Sequence, residues 1–365
     1  MPRDFRDLTL RQSCTRVLGG HGRMDARRWA TRLLESASID DPLDIYSEGA
    51  AMQRLEAETA ALLGKEAGLF FHKGITAQQA ALLVHAGTTG HRSVALHPKS
   101  HLAIDESDTL DRLAGLVSRR VGPDHAVFGT AELDRLAEPL AAVTVELPLR
   151  RAGFLGTNWN DLTAISQWTR SRGIPFHLDG ARIWEIAPWY GRTISEIAAL
   201  ADTVYVSFYK GLGGMGGCVL AGPAAVIAAS RPWRNRFGGD MPTIFPYVLT
   251  ALDGMHRHLP RMAAYFAHAT AIATAVNARP GLRTLPGAPH GNSFRIIFDA
   301  PVEVLEHAAA ALAESHTTWL CNRFEPTGIP GHSFAELVVG EATLDWSADA
   351  AADALASLMP AVGAP

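Results

Sequence analysis

The chain has 365 residues, 47% hydrophobic and 19% charged, and its 33 basic and 37 acidic side chains give a net charge of −4. At ~150 residues per domain this composition predicts two folded domains, or one large domain with a smaller companion, and excludes a disordered chain. The absence of a long Lys/Arg run argues against nucleic acid or an anionic membrane as partner, and apolar stretches such as residues 221–229 reach only about half of the ~18 residues a membrane span needs.

In chain order, Arg3, Asp4, Arg6, Asp7 and Arg11 interrupt the apolar positions of the first residues, so no export signal is expected there and the cytoplasm is the default location. Residues 50–63 place Met52, Leu55, Leu62 and Leu63 near helical spacing, and Gly64 ends the pattern. Ala67 to Phe71 reads as a strand, His72-Lys73-Gly74 as a turn, and Thr76 to Val84 as a helix. Further strand-like runs occur at 93–97, 142–147, 174–178, 203–208 and 218–221, several with helix-length segments between them. Such alternation predicts an α/β fold with a mostly parallel sheet covered on both faces.

Beyond about residue 242 the pattern changes to a long helical stretch from Tyr247 to Ala278, a strand at 293–299 and a helix at 302–313. Strands near 317–324 and 334–339 and a last helix at 348–359 complete a small α+β domain. The expected division is an N-terminal arm at 1–45, a large α/β domain at 46–245 and the small C-terminal domain at 246–365. Cys14, Cys218 and Cys321 are odd in number and widely spaced, which argues against a disulfide framework and against a structural metal site.

Three segments carry candidate chemistry. In His177-Leu178-Asp179-Gly180-Ala181-Arg182 a strand delivers an acid to its C-terminal end, where ligands sit in open α/β sheets, and a turn then presents an arginine. In Ser207-Phe208-Tyr209-Lys210-Gly211-Leu212-Gly213 a second strand delivers a lysine into a glycine-dense loop. His72-Lys73-Gly74-Ile75-Thr76 is a turn before a helix whose free N–H groups and dipole suit a phosphate. Pyridoxal 5'-phosphate needs all three: a lysine amine for its aldehyde, a carboxylate to keep its pyridine nitrogen protonated, and N–H donors for its phosphate. A structural ion pair between Asp179 and Arg182 is the plainer alternative for those two residues.

The same segments resemble the L-threonine aldolase and β-eliminating lyase family of fold-type-I pyridoxal phosphate enzymes over most of residues 40–245. The motifs recur in order: Asp44-Ile45-Tyr46-Ser47-Glu48-Gly49, then Phe71-His72-Lys73-Gly74-Ile75-Thr76, His177 to Arg182, Lys210 to Gly213, and Arg236-Phe237-Gly238-Gly239-Asp240. The resemblance implies that Lys210 binds the cofactor covalently, that Asp179 pairs with its ring nitrogen, that Arg182 holds a carboxylate or the ring O3', and that His101 stacks on the ring. It also implies a fold-type-I large domain, an amino acid substrate and a homodimer or homotetramer. Lyase chemistry follows, with aldol cleavage of a β-hydroxy-α-amino acid to glycine and an aldehyde first and His101 as base. The alternatives are β-elimination or other Cα–H chemistry with Lys210 as base, and a catalytically silent cofactor-binding relative.

The pattern departs from the family in four places. Lys73-Gly74-Ile75 stands where Ser-Gly-Thr is usual, leaving backbone donors, Lys73 and Thr76 for the phosphate. Tyr209 precedes the lysine in place of a small hydroxyl, with Ser207 the nearer substitute. Leu149 occupies the position of a second acid/base histidine after Glu146, and Glu336 that of a carboxylate-binding arginine. Arg182, helped by Arg11 or Arg16, is therefore the expected carboxylate anchor.

Overall fold

A computed structural model describes residues 8–359, which leaves the first seven residues of the expected N-terminal arm, with Arg3, Asp4, Arg6 and Asp7, and residues 360–365 outside the described residues. The chain forms two compact units, one of residues 30–260 and one of the described residues in 1–29 and 261–365. Among the described residues no helix is long and apolar enough to cross a membrane.

The larger unit is built on seven strands: β1 (Ala67–Phe71), β2 (Ser93–Leu96), β3 (Val117–Arg120), β4 (Leu140–Glu146), β5 (Phe176–Asp179), β6 (Thr203–Ser207) and β7 (Cys218–Gly222). Their order in the sheet is β1-β7-β6-β5-β4-β2-β3. All neighbours run parallel except β7, which is antiparallel to both β1 and β6. Side chains alternate between faces along a strand, so the unbroken burial of β5, β6 and β7 means that both faces of the sheet centre are covered. Strand β3 has no apolar run: its Val117-Ser118-Arg119-Arg120 sequence is half exposed at the sheet edge, and periodicity alone therefore missed it.

Helix α1 (Ala50–Leu63) buries Met52, Leu55 and Leu63, and Gly64 closes it in the left-handed conformation (φ 63°) that costs glycine least. Helix α2 (Gly74–Thr89) packs on β4, β6 and β7 and starts two residues earlier than its apolar pattern suggests. Helix α3 (Trp159–Ser171) leads into β5 and is capped by Asn158, whose side chain accepts from the Asp161 N–H. Helix α4 (Ile183–Tyr190) follows β5, and α5 (Ala224–Arg236) packs on α2. Helix α6 (Phe245–His258) packs on α1 and so belongs with this unit, placing the division near residue 260 and not at the expected 245.

The expected single helix from Tyr247 to Ala278 is two, because Pro260 in the turn Leu259–Arg261 has no N–H to continue the first; α7 (Met262–Asn277) starts afresh. The smaller unit adds β8 (Leu282–Leu285), β9 (Ser293–Phe298), α8 (Val302–His316), β10 (Glu325–Pro326), β11 (Ser333–Val338) and α9 (Ala348–Ala356). Its four strands are antiparallel in the order β10-β11-β9-β8. The strand expected at 317–324 shrinks to Thr318–Trp319, paired with Arg16–Val17, which ties the start of the described chain into this unit. Arg16 lies over the Trp346 ring, 3.6 Å from its centroid, and Arg11 is exposed on the short helix Leu8–Ser13.

Candidate active site

Strands β5 and β6 are parallel neighbours, so the residues that leave them emerge at one edge of the sheet. Asp179 ends β5 and is buried; its Oδ2 accepts from Gln78 Nε2 at 2.9 Å and its Oδ1 from the Ala181 N–H at 3.2 Å. Three residues beyond β6, Lys210 is half-buried in the loop that turns back into β7. The N-terminus of α2 meets this edge over Tyr205: a Cβ added to Gly74 would lie 2.1 Å from the Tyr205 hydroxyl, so only glycine lets the helix come so close. Lys73 leaves that terminus without a side-chain cap, and α2 therefore presents its first backbone N–H groups uncovered by its own chain.

Six residues singled out in the sequence, Lys73, Gly74, Ile75, His101, Asp179 and Lys210, line one small cleft. Gln78, Glu106, Tyr205 and Tyr209 complete its wall. The other three sequence candidates stand differently. Thr76 donates its hydroxyl to the Lys73 carbonyl at 2.6 Å within its own helix turn. Ser207, the last residue of β6, is buried with its Oγ unpartnered, while its carbonyl accepts from Trp184 Nε1 at 3.2 Å. Arg182 caps α4 and donates from Nη1 to both carboxylate oxygens of Glu185, at 3.0 and 2.8 Å, with its guanidinium 5.4 Å from the Phe154 ring centre. Arg182 thus forms an ion pair with Glu185.

Four carboxylate or amide side chains that organise this edge were not singled out in the sequence. Gln78 is one helical turn beyond Gly74 and carries the hydrogen bond to Asp179. Glu185 is almost fully buried and accepts the Gly211 N–H at 2.9 Å, which ties Arg182 to the lysine loop. Glu146, the last residue of β4, accepts main-chain N–H groups from His101 (2.6 Å) and Arg150 (3.1 Å). Glu106 lies 3.1 Å from His101 Nδ1 and 3.7 Å from Lys73 Nζ. For Gln78 the helical spacing from Gly74 was a usable signal; the glutamates act across loops and leave no periodic trace.

These neighbours set the charges. Burial first, and the Arg182 charge next, push the Lys210 ammonium below the ordinary lysine range, against the pull of Asp179, Glu146 and Glu185. A larger share of Lys210 is then a neutral, nucleophilic amine. Burial and repulsion from Asp179 raise the Glu146 carboxyl to about 7. The contact with Glu106 raises the His101 imidazolium against the opposing effect of burial, with Asp179 adding to it. Leu149, where a second histidine would act, is buried, and Glu336 faces Arg295 across the β9 and β11 pair at 3.5 Å.

Comparison with known proteins finds relatives of the chain as a whole. Residues 30–318 match the beta-eliminating lyase family. The crystal structure of a putative L-allo-threonine aldolase from Listeria monocytogenes EGD-E superposes with a TM-score of 0.90 at 32% identity, covering 96% of this chain and 98% of that one. Aldolase vrtJ of Penicillium aethiopicum is 33% identical over 196 residues, 51% of this chain and 50% of that protein, so the match spans about half the length of that relative. Low-specificity L-threonine aldolase 1 of Arabidopsis thaliana is 24% identical over 269 residues, 70% of this chain and 74% of that protein. The chain belongs to the beta-eliminating lyase family, with the fold-type-I architecture of its threonine aldolase-like relatives.

Proposed function

We propose that this protein is a pyridoxal phosphate-dependent lyase that cleaves a β-hydroxy-α-amino acid to glycine and an aldehyde. The carrying observation is that Asp179, Lys210 and the uncapped N-terminus of α2, which arrive from three separate segments, line one cleft. The residues fit the cofactor on their own terms. Gln78 Oε1 is a buried polar atom without a hydrogen-bond partner in the wall of the cleft, and the glycine at position 74 keeps the helix terminus open where a side chain would collide.

When bound, the cofactor supplies a sink for the electrons of a bond to the substrate Cα. Lys210, with its depressed ammonium, would hold the aldehyde carbon of the cofactor. Asp179, buried and fixed by Gln78 and the Ala181 N–H, would keep a proton on the pyridine nitrogen. The N–H groups of Gly74 and Ile75, with Lys73 at the rim, would take the phosphate. Arg182 would hold the substrate carboxylate, sharing its guanidinium with Glu185, and His101 would take the proton of the substrate β-hydroxyl.

A second reading is β-elimination, in which Lys210 removes the proton on Cα. The buried Leu149 favours it, because that position offers no second acid/base group. Threonine, allo-threonine and an amino acid with a β-leaving group separate the two: glycine plus an aldehyde supports cleavage, and pyruvate plus ammonia supports elimination. Borohydride reduction of the cofactor-loaded protein should place the reduced adduct on Lys210. An adduct elsewhere, or no visible absorbance with saturating cofactor, overturns the proposal, and absorbance without turnover of any amino acid identifies a silent binding protein. We also propose cytoplasmic location and a homodimeric or homotetrameric assembly.

A further inference from the structure

His101 is held by two carboxylates that approach it from different elements. Its main-chain N–H donates to Glu146 at the end of β4, and its ring Nδ1 lies 3.1 Å from Glu106 Oε1. The side chain of Glu106 is only 10% exposed, and its other oxygen lies 3.7 Å from the Nζ of Lys73 on the N-terminus of α2. One nearly buried carboxylate therefore stands between an imidazole and an ammonium, and all three side chains line the cleft. An ionised carboxylate can only accept, so the proton at this contact sits on Nδ1, and Nε2 is left as the nitrogen that exchanges protons.

We infer that Glu106 is a positioning residue for His101, fixing which ring nitrogen works and setting its basicity, and that Lys73 moderates that effect through the second oxygen of the same carboxylate. The inference rests on the lyase reading only for the use made of His101. Removing the Glu106 charge frees the ring to turn and to lose its proton sooner; removing the Lys73 charge leaves Glu106 wholly to the imidazole and holds the proton longer. The other charges that face His101 are those of Asp179, Glu146 and Asp105 on the negative side and Lys210 on the positive side. None of them is altered by either substitution.

The test is the pH dependence of diethyl pyrocarbonate modification of His101 in the cofactor-loaded protein, located by peptide mass spectrometry, with the visible absorbance recorded alongside. In Glu106→Gln the half-reactive pH should fall by about one unit, a roughly tenfold easier proton loss. In Lys73→Met, a change at a side chain 59% exposed that the fold tolerates, it should rise. The acid limb of kcat should follow the same two directions, with KM changing less. Midpoints that stay put in both variants, or move the same way, overturn the inference. Midpoints that move as expected in a protein lacking visible absorbance remove the lyase reading and leave this one standing.

Discussion

Arg182, proposed above as the substrate-carboxylate anchor, is also held within the fold by Glu185. The pair is buried, the guanidinium side chain 12% and the carboxylate 1% exposed, and Glu185 also fixes the lysine loop through the Gly211 N–H. Arg182→Ala should therefore act twice. It should abolish the change that an added amino acid makes in the cofactor spectrum, and it should lower stability by about 3 kcal/mol, because Glu185 loses its guanidinium partner inside the protein. Adding Glu185→Gln to that variant should recover much of the stability and none of the spectral response; a spectral response that survives Arg182→Ala removes this residue as the carboxylate anchor. The positions of Lys210 and Asp179 were legible from sequence because Asp179 ends one apolar strand and Lys210 opens the glycine-dense loop after another. Glu185 was not, since a glutamate one turn into a helix ordinarily marks a solvated face.

At the scale of elements, the seat of α2 on the sheet decides whether the cleft exists. Gly74 rests on Tyr205 of β6, and Gln78 and His85, seven residues apart on the same face, reach Asp179 of β5 and Thr203 of β6. Gly74→Ala drives a methyl group into the Tyr205 ring and should cost about 2 kcal/mol while weakening cofactor affinity, both measurable by thermal melting and by titration of the visible absorbance. A variant that melts normally and binds normally would show that α2 can shift without consequence. The sequence disclosed this helix through its run of buried Ala and Leu, yet hid its first turn, because Gly74 and Ile75 belong to the cleft and not to the apolar pattern. Likewise the boundary of the larger unit was hidden: α6 and α7 read as one helix until Pro260 is weighed.

For the molecule as a whole, a buried polar relay under the sheet edge ties stability to pH. His177 Nδ1 and His85 Nε2 both meet the Thr203 hydroxyl, at 2.8 and 2.9 Å, and burial lowers their imidazolium pKa values to about 3 and about 4. Both rings stay neutral in the folded chain while the unfolded chain takes up protons below about 6.5, so stability holds above that pH and drains away as pH falls toward 4. Each ring contributes up to about 1.4 kcal/mol per pH unit in that window. Melting temperature followed from pH 7.5 to about 5 should fall more steeply than in His177→Gln; equal slopes would show that the relay is not what responds. The reversed direction of β7 has a separate consequence for the chemistry. Because β7 returns along β6, the backbone carrying Lys210 is moored to the sheet at Ser207 before it and at Cys218 after it. Its amine can swing only as far as its own four-carbon stem allows, and after letting go of any bond it stays beside the vacated atom at a local concentration no dissolved amine could match.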